Sequence, residues 1–365
     1  MKSYYILAIN PGSTSTKIGI FRNTKSILSE NISHSVSDLE KFNSIMDQKE
    51  FRTKIVMDTL NKSEIPVSKI DAVVGRGGLL TPMRSGTYKV NNEMISFLTN
   101  NLLEHASSLG AILAYNIATN IGVKAYIVDP VVVDEMEPIA KITGIPEIRK
   151  ISIFHALNQK AAAREVAKRI KKKYNKCNFI VAHLGGGITI GVHKKGLVID
   201  VNNGLNGDGP FSPERAGSIP TWSLIEWATT GLYSLPDLKK RITGKGGIVA
   251  HLGTNNMKEV TGMVKKGDKK AIDVYNALGY NIAKGIGALA PVVNGKLDAI
   301  IITGGLAFDK DLMSMIKRRI KYLAPVLILP GEDELAALSK GGLRVLRGEE
   351  KPKIWKNKES NNGTN

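Results

Sequence analysis

Apolar residues along this chain come in short runs that stop at glycine. Tyr5 to Ile9 is apolar, Asn10 to Lys17 is rich in small hydroxylated residues, and Ile18, Ile20 and Phe21 resume the apolar pattern. That is the pattern of a strand, a tight turn and a returning strand. It recurs further on, where Ile180, Val181 and Ala182 lead into His183-Leu184-Gly185-Gly186-Gly187 and Ile188, Ile190 and Val192 follow. The recurrence predicts a duplicated domain. Between the two hairpins the pattern predicts a short strand over 71–74 ending in Gly75-Arg76-Gly77-Gly78, and then a long helix carrying Ile95, Leu98, Leu102, Leu109 and Ile112 on one face. A strand over 125–128 and a helix over 153–170 with a basic end follow. The second half repeats the order: a helix over 271–287, a buried strand over 299–303 stopping at Gly304-Gly305, a strand over 326–329, and a helix from about 332 to 346. Strands alternating with helices make this an α/β protein with helices packed on mixed sheets. From Gly348 onward the polar residues predict a flexible tail over 348–365, with Trp355 a lone apolar side chain.

Length and composition narrow the class. At 365 residues the chain exceeds what one core usually serves, and 42% hydrophobic residues suffice for two. The apolar run before Pro11 is too brief for a secretory signal, and charged residues or glycine interrupt every candidate membrane span, so a cytoplasmic protein without membrane contact is expected. The single cysteine, Cys177, excludes an internal disulfide and a cysteine-based zinc site and reads as structural. A net charge of +18 raises the question of nucleic acid, but the basic residues are scattered over several helical segments and aromatics are only 6%. Solvated helix faces account for that distribution better than a stacking or groove-binding surface, and no nucleic-acid partner is expected. The positive field would still attract small anions.

The turn Asn10-Pro11-Gly12-Ser13-Thr14-Ser15-Thr16-Lys17 carries the first candidate chemistry. Small residues let backbone amides approach a phosphate, and hydroxyls and one ammonium add donors. It is not a Walker A loop, because the Gly-Lys-Ser/Thr ending and the following helix are missing. Alone it is equally a hydroxyl-rich hairpin. The second glycine turn at His183 to Gly187 and a third at Thr303-Gly304-Gly305 make a nucleotide grip the stronger reading.

Three such turns in this order resemble the superfamily of acetate and sugar kinases, actin and heat-shock chaperones, over roughly Tyr5 to Arg347. Within it the chain resembles the acetokinase family and most specifically the butyrate kinases. The matching stretches run from Ile9 to Lys17, from His105 to Gly110, from Asp129 to Glu135, from Phe154 to Lys160, from Ala182 to Gly187, from Pro210 to Arg215 and from Ile302 to Gly305. The resemblance implies two duplicated actin-like, ribonuclease H-like domains with an interdomain cleft. They are expected as an N-terminal acyl-acceptor domain over 1–170, rejoined by the C-terminal helix 331–347, and a nucleotide-binding domain over 171–330. It implies ATP and ADP as substrates, Mg²⁺, a short-chain fatty acid as acceptor, and a homo-oligomer.

Site residues carry over motif by motif. By the resemblance, His183 and Arg215 surround the transferring phosphoryl group; the competing readings are a packing role for His183 and a surface salt bridge for Arg215. Asp129 resembles an aspartate near metal and acceptor, with Asp134 and Glu135 as alternatives or plain loop charges. Asn10 is placed nearest the transferred group. Ser13, Ser15, Lys17, Gly185, Gly186, Gly187, Gly304 and Gly305 are nucleotide contacts. His105 is either an acceptor contact or a core residue of an amphipathic helix. Arg76 departs from the acetate kinase pattern, which places its arginine three positions before His-Gly-Gly; here it directly precedes the glycines, and it either binds the acceptor or supports the turn. Glu334, with Glu332 close behind, is the metal candidate, though acids there also suit a helix start. His155 reads as structural or domain-linking, His251 as either near the site or the end of a helix, and His34 and His193 lack partners nearby in the sequence that suggest a metal.

A carboxylate acceptor is already ionised, so cations and donors rather than a base are the expected catalytic parts. Two rival readings share these motifs: a branched-chain fatty-acid kinase acting on isobutyrate or isovalerate, and a non-enzymatic, nucleotide-gated binding protein of the actin type.

Overall fold

The structure, a computed structural model, describes residues 2–100 and 106–357. The chain forms two compact units, one built from residues 1–133 and 333–365 and the other from residues 134–332. Strands β1 (Tyr5–Pro11), β2 (Ser15–Arg22), β3 (Lys25–Ser33), β4 (Ile70–Gly75), β5 (Thr87–Lys89) and β6 (Lys124–Val128) belong to the first unit. Strands β7 (Asn178–Leu184), β8 (Ile188–Lys194), β9 (Leu197–Val201), β10 (Ala299–Gly304) and β11 (Val326–Pro330) form the sheet of the second. The chain then returns to the first unit with the helix Glu334–Leu346 and strand β12 (Lys353–Ile354).

The first sheet runs β12-β5-β6-β4-β1-β2-β3 and the second β11-β10-β7-β8-β9. In each, a central strand pairs in parallel with a later strand on one side and opens an antiparallel meander on the other: β4-β1-β2-β3 in the first, β10-β7-β8-β9 in the second. The recurring sequence pattern therefore corresponds to a recurring sheet. β1 and β7 are buried from their second residue on, as strands covered on both faces are, and accordingly read as continuous apolar runs. β3, at a sheet edge, has no fully buried residue and carries Lys25 and Glu30, charges that discourage further pairing.

Helices cover these sheets through their apolar stripes. The helix Ala156–Arg169 places Ala163, Val166 and Ala167 against Phe179, Val181, Ala299 and Ile301. The helix Lys269–Leu289 starts at Asp268, whose carboxylate caps the Ala271 amide at 3.0 Å, and packs Tyr275, Leu278, Ile282 and Ile286 into the same unit's main core. In the first unit, Glu334–Leu346 lies on β1, β2, β4 and β6, close enough that Gly341 and Gly342 touch Val128 and Val74.

Three sequence expectations change. The helix Ala156–Arg169 packs on the second sheet, so the boundary falls at 133/134 rather than after residue 170. The long helix expected after Gly75-Arg76-Gly77-Gly78 is not regular throughout: Asn92–Asn100 and Leu109–Asn120 are helical, a 3₁₀ turn at Ala106–Ser108 precedes the latter, and Leu102 lies outside the described residues. Residues 348–357 are not a polar tail: β12 pairs in parallel with β5, and Trp355 is buried in the first core with its ring 5.1 Å from that of Phe97. A run of polar residues hid one indole whose burial outweighs them. No helix among the described residues is long and apolar enough to cross a membrane.

Candidate active site

Each unit gathers its own set of the candidate residues. In the first, β1 and β2 pair so that Asn10 stands opposite Lys17 and Pro11 opposite Thr16; cross-strand partners share a face of the sheet, which puts Asn10 and Lys17 on one side. The turn between them is closed by the Gly12 amide donating to the Ser15 carbonyl at 2.8 Å. Ser13 and Lys17 are exposed and Ser15 half-buried.

The turn is held from behind by Arg52, on the helix Lys49–Lys62. Its guanidinium donates to the carbonyls of Gly12 (2.8 Å), Ser13 (2.8 Å) and Ser15 (3.0 Å), to the Thr16 hydroxyl (3.1 Å) and to Gln48 (2.7 Å). Burial pushes its pKa down to about 10, and it remains charged at neutral pH. Sequence reasoning missed this residue. Its signal was the spacing Arg52, Val56, Leu60, an apolar stripe with an arginine in one of its places, all three buried. A side chain with five donors in a fixed fork is suited to collecting several carbonyls at once.

Arg76, just past β4, lies 2.5 Å from Glu334 Oε1 and 3.4 Å from Asn10 Oδ1, and Asn10 Nδ2 donates to Glu334 Oε2. Asn10, Arg76 and Glu334 thus form one polar cluster, built from the ends of two parallel strands and the first turn of the returning helix. Asp129 directly follows β6, with φ at +39°; its carboxylate accepts from the Gly86 amide at 2.7 Å and its own amide donates to the Gly86 carbonyl at 3.1 Å. Of its two alternatives, Asp134 pairs with Lys141, and Glu135 is buried against Lys160 at 2.8 Å while accepting from the Val198 amide at 3.0 Å. Those partners make both of them structural. His105 lies outside the described residues.

In the second unit, His183 sits one residue before the end of β7, 1% exposed. Its Nε2 is 3.1 Å from Glu332 Oε2, which also accepts from Asn158 Nδ2 at 3.1 Å. Its Nδ1 is buried without a hydrogen-bond partner. The imidazole of His155 stacks on that of His183, centroids 4.2 Å apart and planes at 25°. His155, read from the sequence as a structural residue, is therefore part of this site; its signal was only its place in the motif Phe154 to Lys160.

The glycine turn is built around Arg215. A Cβ on Gly187 would stand 1.9 Å from Arg215 NH1, so only glycine admits the guanidinium there. Arg215 donates to the Gly204 carbonyl, and burial lowers its pKa. Its loop is fixed by Ser212, whose hydroxyl accepts from the Arg215 amide at 3.1 Å and donates to the Gly186 carbonyl at 2.6 Å. A half-buried cation seated at a turn is not the surface ion pair that the sequence left as an alternative. Gly185 and Gly186 are more open than Gly187, with the Gly185 amide donating to the Gly187 carbonyl at 3.1 Å. Gly304 ends β10 and exchanges backbone bonds of 2.9 and 3.1 Å with Gly331; Gly305 follows with open space above its Cα.

Residues 142–323 match the acetokinase family. The acetokinase stretch lies wholly inside the second unit and includes His155, His183 to Gly187, Arg215 and Gly304-Gly305. The whole chain has the fold of solved acetokinases. The acetate kinase of Porphyromonas gingivalis is 16% identical, with 94% of this chain and 100% of that chain covered at a TM-score of 0.79. A propionate kinase from Francisella tularensis subsp. tularensis is 20% identical over 93% and 98% at 0.73, and the acetate kinase of Entamoeba histolytica 15% identical over 92% and 98% at 0.70. The family match thus covers about half of the chain, and the likeness to the solved structures shows the mixed α/β fold of two helix-flanked sheets.

Among the described residues no group of three or more His, Cys, Asp or Glu could hold a metal ion. The acids that remain as candidates, Glu334 and Glu332, stand in separate clusters with Arg76 and His183. Either carboxylate by itself fits an ion that takes few protein carboxylates and completes its shell from phosphate oxygens and water, as Mg²⁺ does.

Proposed function

We propose that the protein is a butyrate kinase, transferring the γ-phosphate of ATP reversibly to butyrate to give butyryl phosphate and ADP. The observation that carries this reading is the seat of Arg215 against Gly187, on the turn opened by His183, within the acetokinase stretch. Joining a carboxylate to a triphosphate means bringing two anions together, so fixed cations and donors supply most of the catalysis. Arg215 is always charged at neutral pH and its fork suits phosphoryl oxygens. His183 and His155 add imidazole nitrogens beside it. The amides of Gly185, Gly186, Gly187, Gly304 and Gly305 are assigned to the nucleotide.

In the first unit, Asn10, Ser13, Ser15 and Lys17 are assigned to phosphate contacts and Asp129 to the acceptor side. Arg76, with His105, is assigned to the acceptor carboxylate; its pairing with Glu334 means that an incoming carboxylate would share it. Glu334, with Glu332 second, would hold Mg²⁺, which when bound neutralises charge on the phosphate oxygens. The setting proposed is cytoplasmic and homo-oligomeric.

Incubation with Mg-ATP, a panel of short acids and hydroxylamine tests the reading. Acyl hydroxamate formed fastest from butyrate is the expected result. Preference for isobutyrate or isovalerate would reassign the acceptor, and ATP turnover without hydroxamate from any acid would replace the kinase with a nucleotide-gated protein. Discrimination by one methyl group rests on about 1 to 3 kcal/mol, so rates across the panel, rather than presence of product, decide the acceptor.

A further inference from the structure

In the second unit two periodicities mesh over a single buried line of polar side chains. On β8 alternate residues face one side of the sheet, and that side presents Thr189, Gly191 and His193. On the helix Ala156–Arg169, Gln159 sits one turn beyond His155, its amide donating to the His155 carbonyl at 2.9 Å. Gly191 leaves the room for this: a Cβ there would stand 2.7 Å from Gln159 Oε1.

The hydrogen bonds along this line have a direction that the backbone fixes. Gln159 Nε2 lies 3.1 Å from the Thr189 carbonyl, which can only accept. The amide nitrogen therefore faces Thr189, and Oε1 faces His193. His193 Nε2, 3.0 Å from that oxygen, must carry the proton. Full burial, with the charges of Lys160 and Arg164, holds the His193 pKa well below the usual value. The ring is neutral, and its Nδ1 accepts from the Tyr174 hydroxyl at 2.7 Å. At the other end, Thr189 Oγ1 accepts the second N–H of Gln159 at 2.9 Å and lies 2.9 Å from His155 Nδ1, a contact in which either group can donate; the buried hydroxyl has no other acceptor among the described bonds, which directs its proton to Nδ1.

We propose that Tyr174, His193, Gln159 and Thr189 form a positioning relay that fixes His155 as the Nε2-protonated tautomer while it stacks on His183. The consequence is that His155 offers an N–H, not a lone pair, at Nε2. An N–H attracts an anionic oxygen where a lone pair repels it, and the second nitrogen of an imidazole is set by the bond the first one makes. None of the four touches the reacting atoms by this account; each acts through His155. The catalytic part of the proposal rests on the phosphoryl-transfer reading given above, whereas the tautomers do not depend on it.

The test uses the full chain labelled with ¹⁵N-histidine, with long-range ¹H–¹⁵N spectra reading each tautomer and His155→Gln and His193→Gln assigning the two signals. Nε2–H is expected at both residues. Thr189→Val should leave the His193 signal in place, release His155 into a mixture of tautomers, and lower kcat for acyl phosphate by about tenfold, the scale on which outer partners of a functional histidine act. KM for ATP should move less than about twofold, since uniform binding is untouched. Thr189→Ser should restore both tautomer and rate. An Nδ1–H tautomer at His155 in the unmodified protein, an unchanged His155 signal in Thr189→Val, or a Thr189→Ser variant no better than Thr189→Val would overturn the relay. If Thr189→Val fails to fold, the unmodified protein's tautomers decide alone. If no acid yields acyl phosphate, the kinase reading fails while the spectra still judge the relay.

Discussion

His155 stacks on His183 at 4.2 Å, and the two rings are brought together by different elements: one directly precedes a helix and the other lies one residue before the end of a strand. The register of the second hairpin completes the arrangement, because His183 pairs with Thr189 across β7 and β8, and Thr189 bonds to His155. A site residue and its support are thus neighbours by strand pairing, not by sequence.

Arg215→Ala should collapse turnover by about 10²- to 10³-fold, the scale of removing one donor from a developing anion, with ATP affinity largely kept. Gly187→Ala should do nearly the same without touching the arginine, since its methyl would occupy the position of the guanidinium. Hydroxamate rates and nucleotide titration on both variants check this; normal turnover in Gly187→Ala would show that Arg215 is free to leave its seat.

Arg52→Met should destabilise the first unit while leaving most of the side-chain volume in place. The carbonyls of Gly12, Ser13 and Ser15 would lose their shared donor, as would the buried oxygens of Thr16 and Gln48, and a buried acceptor left unmade costs about 1 to 3 kcal/mol. Denaturant unfolding should register a loss of about that size or more, accompanied by a higher KM for ATP as the turn loosens.

Stability should fall in mild acid because of His193. Its pKa is lowered in the folded state by burial first and by Lys160 and Arg164 second, so below about pH 6.5, the ordinary histidine value, the unfolded chain binds a proton that the folded chain refuses. The stabilisation is complete above that pH and is lost progressively as the pH drops below it. Comparing melting temperatures of the unmodified protein and His193→Gln between pH 7 and 5 checks the sign: the variant should show a shallower decline.

Trp355→Ala should cost about 3 to 5 kcal/mol, as expected for emptying a buried aromatic site. The indole is 3% exposed and stacks edge-on against Phe97, and the Asn91 side chain donates to the Trp355 carbonyl at 3.1 Å. A thermal melt unchanged by the substitution would return residues 348–357 to the status of a tail.

Metal assignment can be separated by two isosteric changes. Glu334→Gln should raise the Mg²⁺ concentration needed for half-maximal rate more than Glu332→Gln does. The reverse order would move the assignment to the residue beside His183.

Much of this was legible in the sequence because it depends on local pattern. Short apolar runs and glycine punctuation mark β1, β2, β7 and β8, and the repeated hairpin gives the repeated sheet. The glycine turns could be picked out for the same reason, since a phosphate near the backbone demands small residues at fixed positions, whereas Arg215 was picked out by the resemblance of its motif. What only the tertiary structure decided is where separate segments meet. Arg52 was not singled out from the sequence, yet the helix that carries it turns it into the fixed support of the first turn. His155 read as structural and His193 had no partner nearby in sequence, and each gains one from a residue 34 positions away, Thr189 and Gln159 respectively. Hydrogen-bond partners separated by tens of residues leave no periodic trace, because periodicity records which face of an element is buried and not what lies against it.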